Sequence, residues 1–319
     1  MNYFCCLIFK PVHQKTFGIF FFFIFVLNAT TTRAEQLPSS VLYNNLLSIK
    51  QETEQLYYEF GKTPVKHFHY KISGVNEIDL YYQTLNIFKK IDRLVFDHIG
   101  SLGLQVFPIA FSKIRLEHSI KNATDSLERI KAIRKKNHFE IISLKLEQHE
   151  NIDFDSIYQL ALQINRMLNS LVDTPYQPST VYKKLTEAIY IAQNIFKGES
   201  QLPILPPYIN GKTPTDTYKL LLSVLKKINK QVKTLSYSCI NLEVKKFPSL
   251  ISSADVYDIA FLVVTNLFYI SEELKLNLKI PPIPYPGRKF PSHIFQISQQ
   301  IDEMVQLLPE KLNTLRGAK

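Results

Sequence analysis

Glycine is scarce in this chain: there are nine in 319 residues, and none falls into G-x-G-x-x-G, G-x-x-x-x-G-K-[ST] or G-x-S-x-G. Phosphate-cradling turns and nucleophile elbows need such glycines, because a residue without Cβ lets the backbone turn tightly against a ligand. The common nucleotide-binding and serine-hydrolase designs are therefore excluded. No H-E-x-x-H and no C-x-x-C-H occurs either, which removes the usual zinc-protease and c-type haem sites. Cysteine is rarer still. Cys5 and Cys6 lie ahead of the first apolar run rather than after it, where a lipid-modified cysteine belongs, and Cys239 is the third and last. One thiol beyond the N-terminus makes no internal disulfide, so stability has to come from packing. The YSCINL context of Cys239 offers neither an adjacent histidine nor a helix start to lower its pKa, and we assign it no reactive role.

Long apolar runs are also few. Lys10 and Lys15 precede Gly18 to Leu27, a run of about ten residues that is short for a bilayer span. A polar stretch follows and ends at Ala34, with Thr32 and Ala34 at the small-residue positions before Glu35. This is the pattern of a secretory signal over residues 1–34, cleaved between Ala34 and Glu35, and it predicts a protein of the periplasm or the exterior with no membrane span left after cleavage. The run Val256 to Ile270 is apolar nearly all the way round but holds Asp258 and Asn266; it reads as a helix buried on several sides. Asn122-Ala-Thr124 matches a glycosylation acceptor, which matters only in a eukaryotic source.

What is present is enough for a large core or two ordinary ones: 45% hydrophobic residues and 21% charged. The formal charge is +10, of which Lys10, Lys15 and Arg33 belong to residues 1–34, leaving thirty-five basic against twenty-eight acidic residues. That excess of seven is spread mostly over the polar faces of amphipathic stretches, so it reads as a mildly basic surface and not as a nucleic-acid patch.

The chain is organised around one kind of helix start. In Gly211 to Val232, Thr213 reads as an N-cap and Pro214 as the first helical residue, with Asp216 in the first turn near the positive end of the dipole. Thr217, Leu220, Leu221, Val224, Leu225, Ile228 and Val232 then keep the 3.6-residue period. The template is Pro or a polar residue, then Ser, Thr or Asp, then an aliphatic usually followed by an aromatic. It recurs at Val41, Leu80, Ile120, Ile157, Val181, Thr217, Val256 and Ile294, in steps of 39, 40, 37, 24, 36, 39 and 38. A period near 38 predicts a mainly α protein, a repeat array or bundle of about eight amphipathic helices. The copies are degenerate: Lys121 stands where the third has its aromatic, and Thr217 where the sixth has its aliphatic.

Four copies fall on each side of the short step, which predicts two related halves, residues 35–173 and 174–319, packed as one unit. Only six residues separate Leu171 from Pro178, so the fourth and fifth helices are expected to form an antiparallel hairpin. The other connectors are long and apolar, among them His67–Ile72, Leu104–Ile109, Phe139–Leu146, Leu202–Tyr208, Asn241–Phe247 and Ile280–Tyr285. They read as straps over the helices, the proline-rich ones in polyproline conformation, with Phe139–Leu146 able to pair as a short strand or extend a helix.

Residues that could carry chemistry are few. His67 and His69 alternate about Phe68 and could reach one metal ion, with His98 or His118 as a third ligand; the competing reading is two surface histidines flanking a buried phenylalanine. Tyr81, Tyr158, Tyr182, Tyr218, Tyr257 and Phe295, just inside their helix starts, could form a stacking ladder for sugars or bases, but aromatics there more often anchor a connector. Asp79, Asp155, Asp216 and Asp255 sit in first turns, where the helix dipole accounts for an acid. No cofactor and no catalytic residue is assigned. The sequence thus points to an exported, non-enzymatic scaffold that contacts a protein partner; the alternative is an anionic envelope polymer or lipid head group held by basic helix faces. Protein recovered from its native envelope or medium is expected to begin at Glu35 by intact mass; a mass retaining residues 1–34 overturns the export reading.

Overall fold

The start at Thr213 shows why the helices begin where they do. Thr213 Oγ1 accepts from the Asp216 N–H at 3.3 Å, while Asp216 Oδ2 accepts from the Thr213 N–H at 2.9 Å and from its hydroxyl at 2.7 Å. Amides that a helix start leaves without partners are satisfied reciprocally, and those bonds hold the Asp216 carboxyl below the usual carboxylate range. The same exchange links Asn76 with Asp79 and Ser252 with Asp255. His118 and His293 take the acid's part through Nδ1, accepting from the Arg115 and Phe290 N–H groups at 3.0 and 3.1 Å.

The computed structural model describes residues 38–101, 109, 111–139, 152–172, 176–197, 202–232, 240–276, 278, 280–310 and 312. Eight α-helices lie among them: α1 Pro38–Glu59, α2 Glu77–Ile99, α3 Leu116–Lys136, α4 Phe154–Leu171, α5 Pro178–Ile195, α6 Pro214–Val232, α7 Ser253–Glu273 and α8 Pro291–Gln306. Each of the eight aliphatic positions read from the sequence falls three or four residues inside a helix start. Helix α2 stops at Gly100, whose left-handed φ of 77° lets its N–H return to Phe96 O at 2.9 Å.

From Pro38 onward the chain clusters into one compact unit. In the principal packing contacts, α1 and α2 each lie against both α3 and α4, and α5 and α6 each lie against both α7 and α8. Helix α7 also touches α4, so the most apolar helix bridges the two sets. By length and composition α7 could cross a membrane, but 67% of its apolar window is buried inside the fold, where Val256, Ile259, Ala260, Val263 and Leu267 are closed off from water. Because α1 and α2 are not principal neighbours, and neither are α3 and α4, the chain crosses over between them. Long connectors are what such crossings require.

Two expectations about the connectors fail. Helices α4 and α5 do not form a hairpin: they are absent from the principal packing pairs, and α5 packs instead on α7, which also touches α4. Tyr176, from the short connector, stacks on Tyr257 of α7 with ring centroids 4.1 Å apart and planes within 10°. Two connectors read as straps pair instead as a sheet, β1 (His69–Ser73) antiparallel to β2 (Asn241–Lys246). Neither strand contains proline, so the ladder loses no donor, and the register sets Ile72 against Leu242 and Lys71 against Glu243. Residues 1–34, read from the sequence as a signal, most of Leu104–Ile109, most of Phe139–Leu146, Cys239 and residues 313–319 lie outside the described residues. Asn122 of the glycosylation pattern is buried within α3, where its amide donates to Thr84 Oγ1 at 3.3 Å.

Between α1 and α3 the core holds a charge cluster. Arg134, 1% exposed, donates to Glu52 Oε2 at 2.7 Å and to Glu59 Oε1 at 2.9 Å, while Glu52 is itself 2% exposed. Removing the cation strands two carboxylates in a poorly solvated seam. Arg134→Ala is therefore expected to lower unfolding stability by ~3–5 kcal/mol, read by denaturant titration; a loss below about 1 kcal/mol means that water reaches the pair.

Candidate functional site

Arg166, on the outer face of α4 and near its C-terminal end, ties four segments together. Its Nε donates to Lys66 O at 2.6 Å, Nη1 to Asp255 Oδ1 at 2.6 Å and Nη2 to Leu250 O at 3.0 Å, and the guanidinium lies 4.5 Å from the centre of the Phe68 ring. The planar fork suits three divergent acceptors and the aromatic face together, which a lysine ammonium could not reproduce. Phe68 stacks on Tyr218 at 5.1 Å, and the Tyr218 and Tyr70 hydroxyls share a hydrogen bond of 3.2 Å. Alongside, Lys62 Nζ donates to Leu171 O at 2.9 Å, meeting the negative end of α4.

Behind Arg166 runs a buried polar seam centred on Asp258 of α7. Its Oδ1 accepts from Lys90 Nζ at 2.7 Å and from Asn86 Nδ2 at 2.9 Å, and its Oδ2 from Asn169 Nδ2 at 2.9 Å. Lys90 is fully buried on α2; burial pulls its ammonium below its ordinary pKa and Asp258 works against that. One carboxylate therefore ties α2 and α4 to α7.

A cleft of about 570 Å³ opens over Arg166. Among the described residues its rim carries Lys62, Lys66 and Arg166 against the carboxylate of Asp255, and its walls include Val65, Val172, Pro248 and the 74% exposed Leu250. Asn169, 9% exposed, also lines it, and its Oδ1 is buried without a hydrogen-bond partner. A second cleft of about 330 Å³ lies beyond Val65, with His67, Glu54, Tyr57 and Tyr58 in its lining. The arrangement suits a ligand that carries negative charge beside an apolar group, and the Ser252 hydroxyl in its lining donates to Asp255 as part of the α7 helix cap.

No family model, curated protein or solved structure matches this chain.

The histidines offered as metal ligands are dispersed. Phe68 is buried, His67 is half-buried with Nδ1 unpartnered, and His69 is exposed at the start of β1. Burial, helped by the charges of Lys50 and Arg166, holds the His67 pKa below its ordinary value. His98 stacks face to face on Phe60 at 4.5 Å, and His118 caps α3, so both third-ligand candidates are engaged elsewhere. Among the described residues no three His, Cys, Asp or Glu side chains are grouped to hold an ion.

The aromatics near the helix starts do not line up as a ladder. Tyr218 stacks on the β1 connector; Tyr257 stacks on Tyr176; Tyr182 lies beneath Lys289 at 4.6 Å and Phe295 beneath Lys212 at 4.5 Å, each of these cations coming from a connector. Tyr81 belongs to a small cluster with Leu85, Phe111 and Ile114. Tyr158 is fully buried, its hydroxyl unpartnered and pushed far up in pKa by burial.

Sequence reading missed Arg166, Lys90 and Asp258 as a set. One signal was available: Asp79, Gln83, Asn86 and Lys90 are spaced four, three and four along α2, a polar stripe at helical period, and all four are buried. The first-turn acids do more than face the dipole. Asp155 accepts from Val75 N at 3.0 Å, and Asp79, 7% exposed, is pushed up to about 7, chiefly by burial and secondarily by Asp155, while its bond from Asn76 N pulls the other way. A cleft of about 410 Å³ is lined by its neighbours Asn76, Glu77 and Ile78, while Asp79 itself is turned into the cap and buried. The unfolded chain releases this proton near 3.8 and the folded chain near 7. The unfolded state therefore binds fewer protons between those values, and stability falls as pH rises through that window. Asp79→Asn, which still offers an acceptor to Asn76 N, is expected to remove most of that decline, on the order of a few kcal/mol; equal slopes for parent and variant between about pH 4 and 7 would refute the assignment.

Proposed function

We propose that this is an exported, non-enzymatic scaffold of the cell envelope or exterior, built from two related four-helix halves strapped together by its connectors. We further propose that it takes an acidic, partly apolar segment of a partner protein into the Arg166 cleft. Relatedness of the halves is supported by the matching contacts of α1–α4 and α5–α8, each a set in which the first two helices pack on the last two. The binding reading is carried by one observation: among the described residues, three cations and an exposed leucine surround a cleft where the one lining carboxylate is already engaged by Arg166 and Ser252. Like-charged partners are repelled there, and a carboxylate-bearing segment gains both the cations and the apolar wall. A scaffold role fits a chain whose buried polar groups are used to fix helices rather than to poise a reacting atom.

A random peptide library displayed against the chain from Glu35 is expected to return sequences that join carboxylates to an apolar residue. Lys66→Glu and Leu250→Glu, both at exposed positions, are each expected to weaken those peptides by about tenfold without moving the melting temperature. Peptides lacking acids, or affinities indifferent to both substitutions, would sink the cleft reading.

A further inference from the structure

Ten large apolar side chains stand exposed among the described residues, and seven of them come from two connectors, 202–213 and 280–290. Ile204 is 84% exposed, Tyr285 71% and Phe290 48%. Loose loops are not the cause, because both connectors are fastened to helices by their backbones. Gln300 Nε2 donates to Pro203 O at 2.9 Å, Gln296 Nε2 to Pro206 O at 2.6 Å, and Lys212 N to Ser292 Oγ at 3.1 Å, which lays the first connector along α8. Ser179 Oγ donates to Gly287 O at 2.8 Å and accepts from Lys289 N at 3.1 Å, which pins the second to the start of α5. The two meet at His293, whose ring lies 4.9 Å from Tyr208 and 5.9 Å from Phe290. The apolar tips are thus held outward on one joined surface.

Charge on this surface is mostly positive; the carboxylate bordering it, Asp216 at the start of α6, accepts from Thr213 and stands near enough to Lys212 to feel its charge. The sequence has no acidic residue between Glu199 and Asp216 and none between Glu273 and Asp302, while Lys212, Arg288 and Lys289 all lie within these stretches. Arg288 lies 5.2 Å from the Phe290 ring centre. Protruding aliphatics, tyrosines that are apolar in body and polar at the tip, and adjacent cations that outnumber the carboxylates form the chemistry of a membrane interface. A soluble polyanion would satisfy the cations but leave Ile204 and Tyr285 in water; an anionic bilayer accepts both.

We propose that the two connectors dock the protein on an anionic phospholipid surface, with Ile204, Tyr285 and Phe290 entering the boundary between headgroups and acyl chains and Lys212, Arg288 and Lys289 meeting lipid phosphates. This face is separate from the Arg166 cleft and does not depend on how that cleft is used. The test is co-sedimentation with vesicles of phosphatidylcholine alone or with about a third phosphatidylglycerol. It is run on the chain from Glu35 and on the full chain, with each variant compared with its own parent. Binding to the anionic vesicles is expected to exceed binding to phosphatidylcholine by about tenfold or more. Ile204→Asp with Tyr285→Asp should lower it by about tenfold or more, and Arg288→Glu alone by about fivefold, while Lys66→Glu at the cleft leaves it unchanged. All these positions are exposed, and an unchanged melting temperature checks that each variant is folded. Failure to bind anionic vesicles overturns the proposal. So does binding that the double variant does not weaken, or binding that soluble polyphosphate removes equally from parent and double variant, which would mark a polyanion site.

Discussion

Asp258 is the group on which the arrangement of helices most depends. It sits on α7, the most apolar helix, and accepts from a fully buried lysine on α2 and from asparagines on α2 and α4. A carboxylate and an ammonium taken out of water are tolerable only when each finds the other, and either left alone costs several kcal/mol. Apolar surfaces by themselves permit sliding, since one leucine can replace another against a ridge. The Lys90–Asp258 contact removes that freedom, because a shift of one turn along either helix separates the charges by about 5 Å. Arg166 acts on the same elements from outside, binding the N-terminal turn of α7 through Asp255 and the connector through the carbonyl of Lys66. The register of α7 is fixed from within and from without.

This explains which parts were legible in the sequence. A helix start is spelled out over four or five consecutive residues, so Thr213-Pro214 with Asp216, Asn76 with Asp79, and Ser252 with Asp255 could be read locally. What those acids do was only half legible: the dipole accounts for their presence, but the returned bond to the cap N–H is a matter of geometry. The pairing of β1 with β2 joins residues about 170 positions apart, with nothing in either segment to name its partner. The expected hairpin after α4 failed for a related reason. A short connector limits how far apart two helix ends can be, and it does not forbid a third helix from lying between them.

The candidate site was least legible because lysine and arginine on amphipathic helices ordinarily belong to the solvated face. Lys90 and Arg134 obey the opposite rule, and only the positions of their carboxylates, Asp258 and Glu52, reveal it. The aromatics were easier to interpret. Tyr218 and Tyr257 stand where a helix begins and a neighbouring connector passes, and each finds a ring from that connector, Phe68 and Tyr176 respectively. Offset stacking on a passing strand needs only proximity, which the position just inside a helix start guarantees.

The distribution of charge separates two kinds of basic residue that composition merges into one figure. On the helices, cations meet acids: Lys121 reaches Asp125, Arg93 reaches Asp97, Arg129 contacts Asp92, and Lys227 binds both oxygens of Asp302 from the neighbouring α8. Such faces carry little net field, and salt screens what remains. Along 202–213 and 280–290 the cations have no carboxylates in the same stretches of chain, and they share those stretches with seven of the ten exposed large apolar side chains among the described residues. Three cations, Lys212, Arg288 and Lys289, therefore lie where the fold also places its unburied hydrophobic surface, and it is the coincidence of the two, more than the size of either, that makes those connectors and not the helix faces the place to look for an anionic partner.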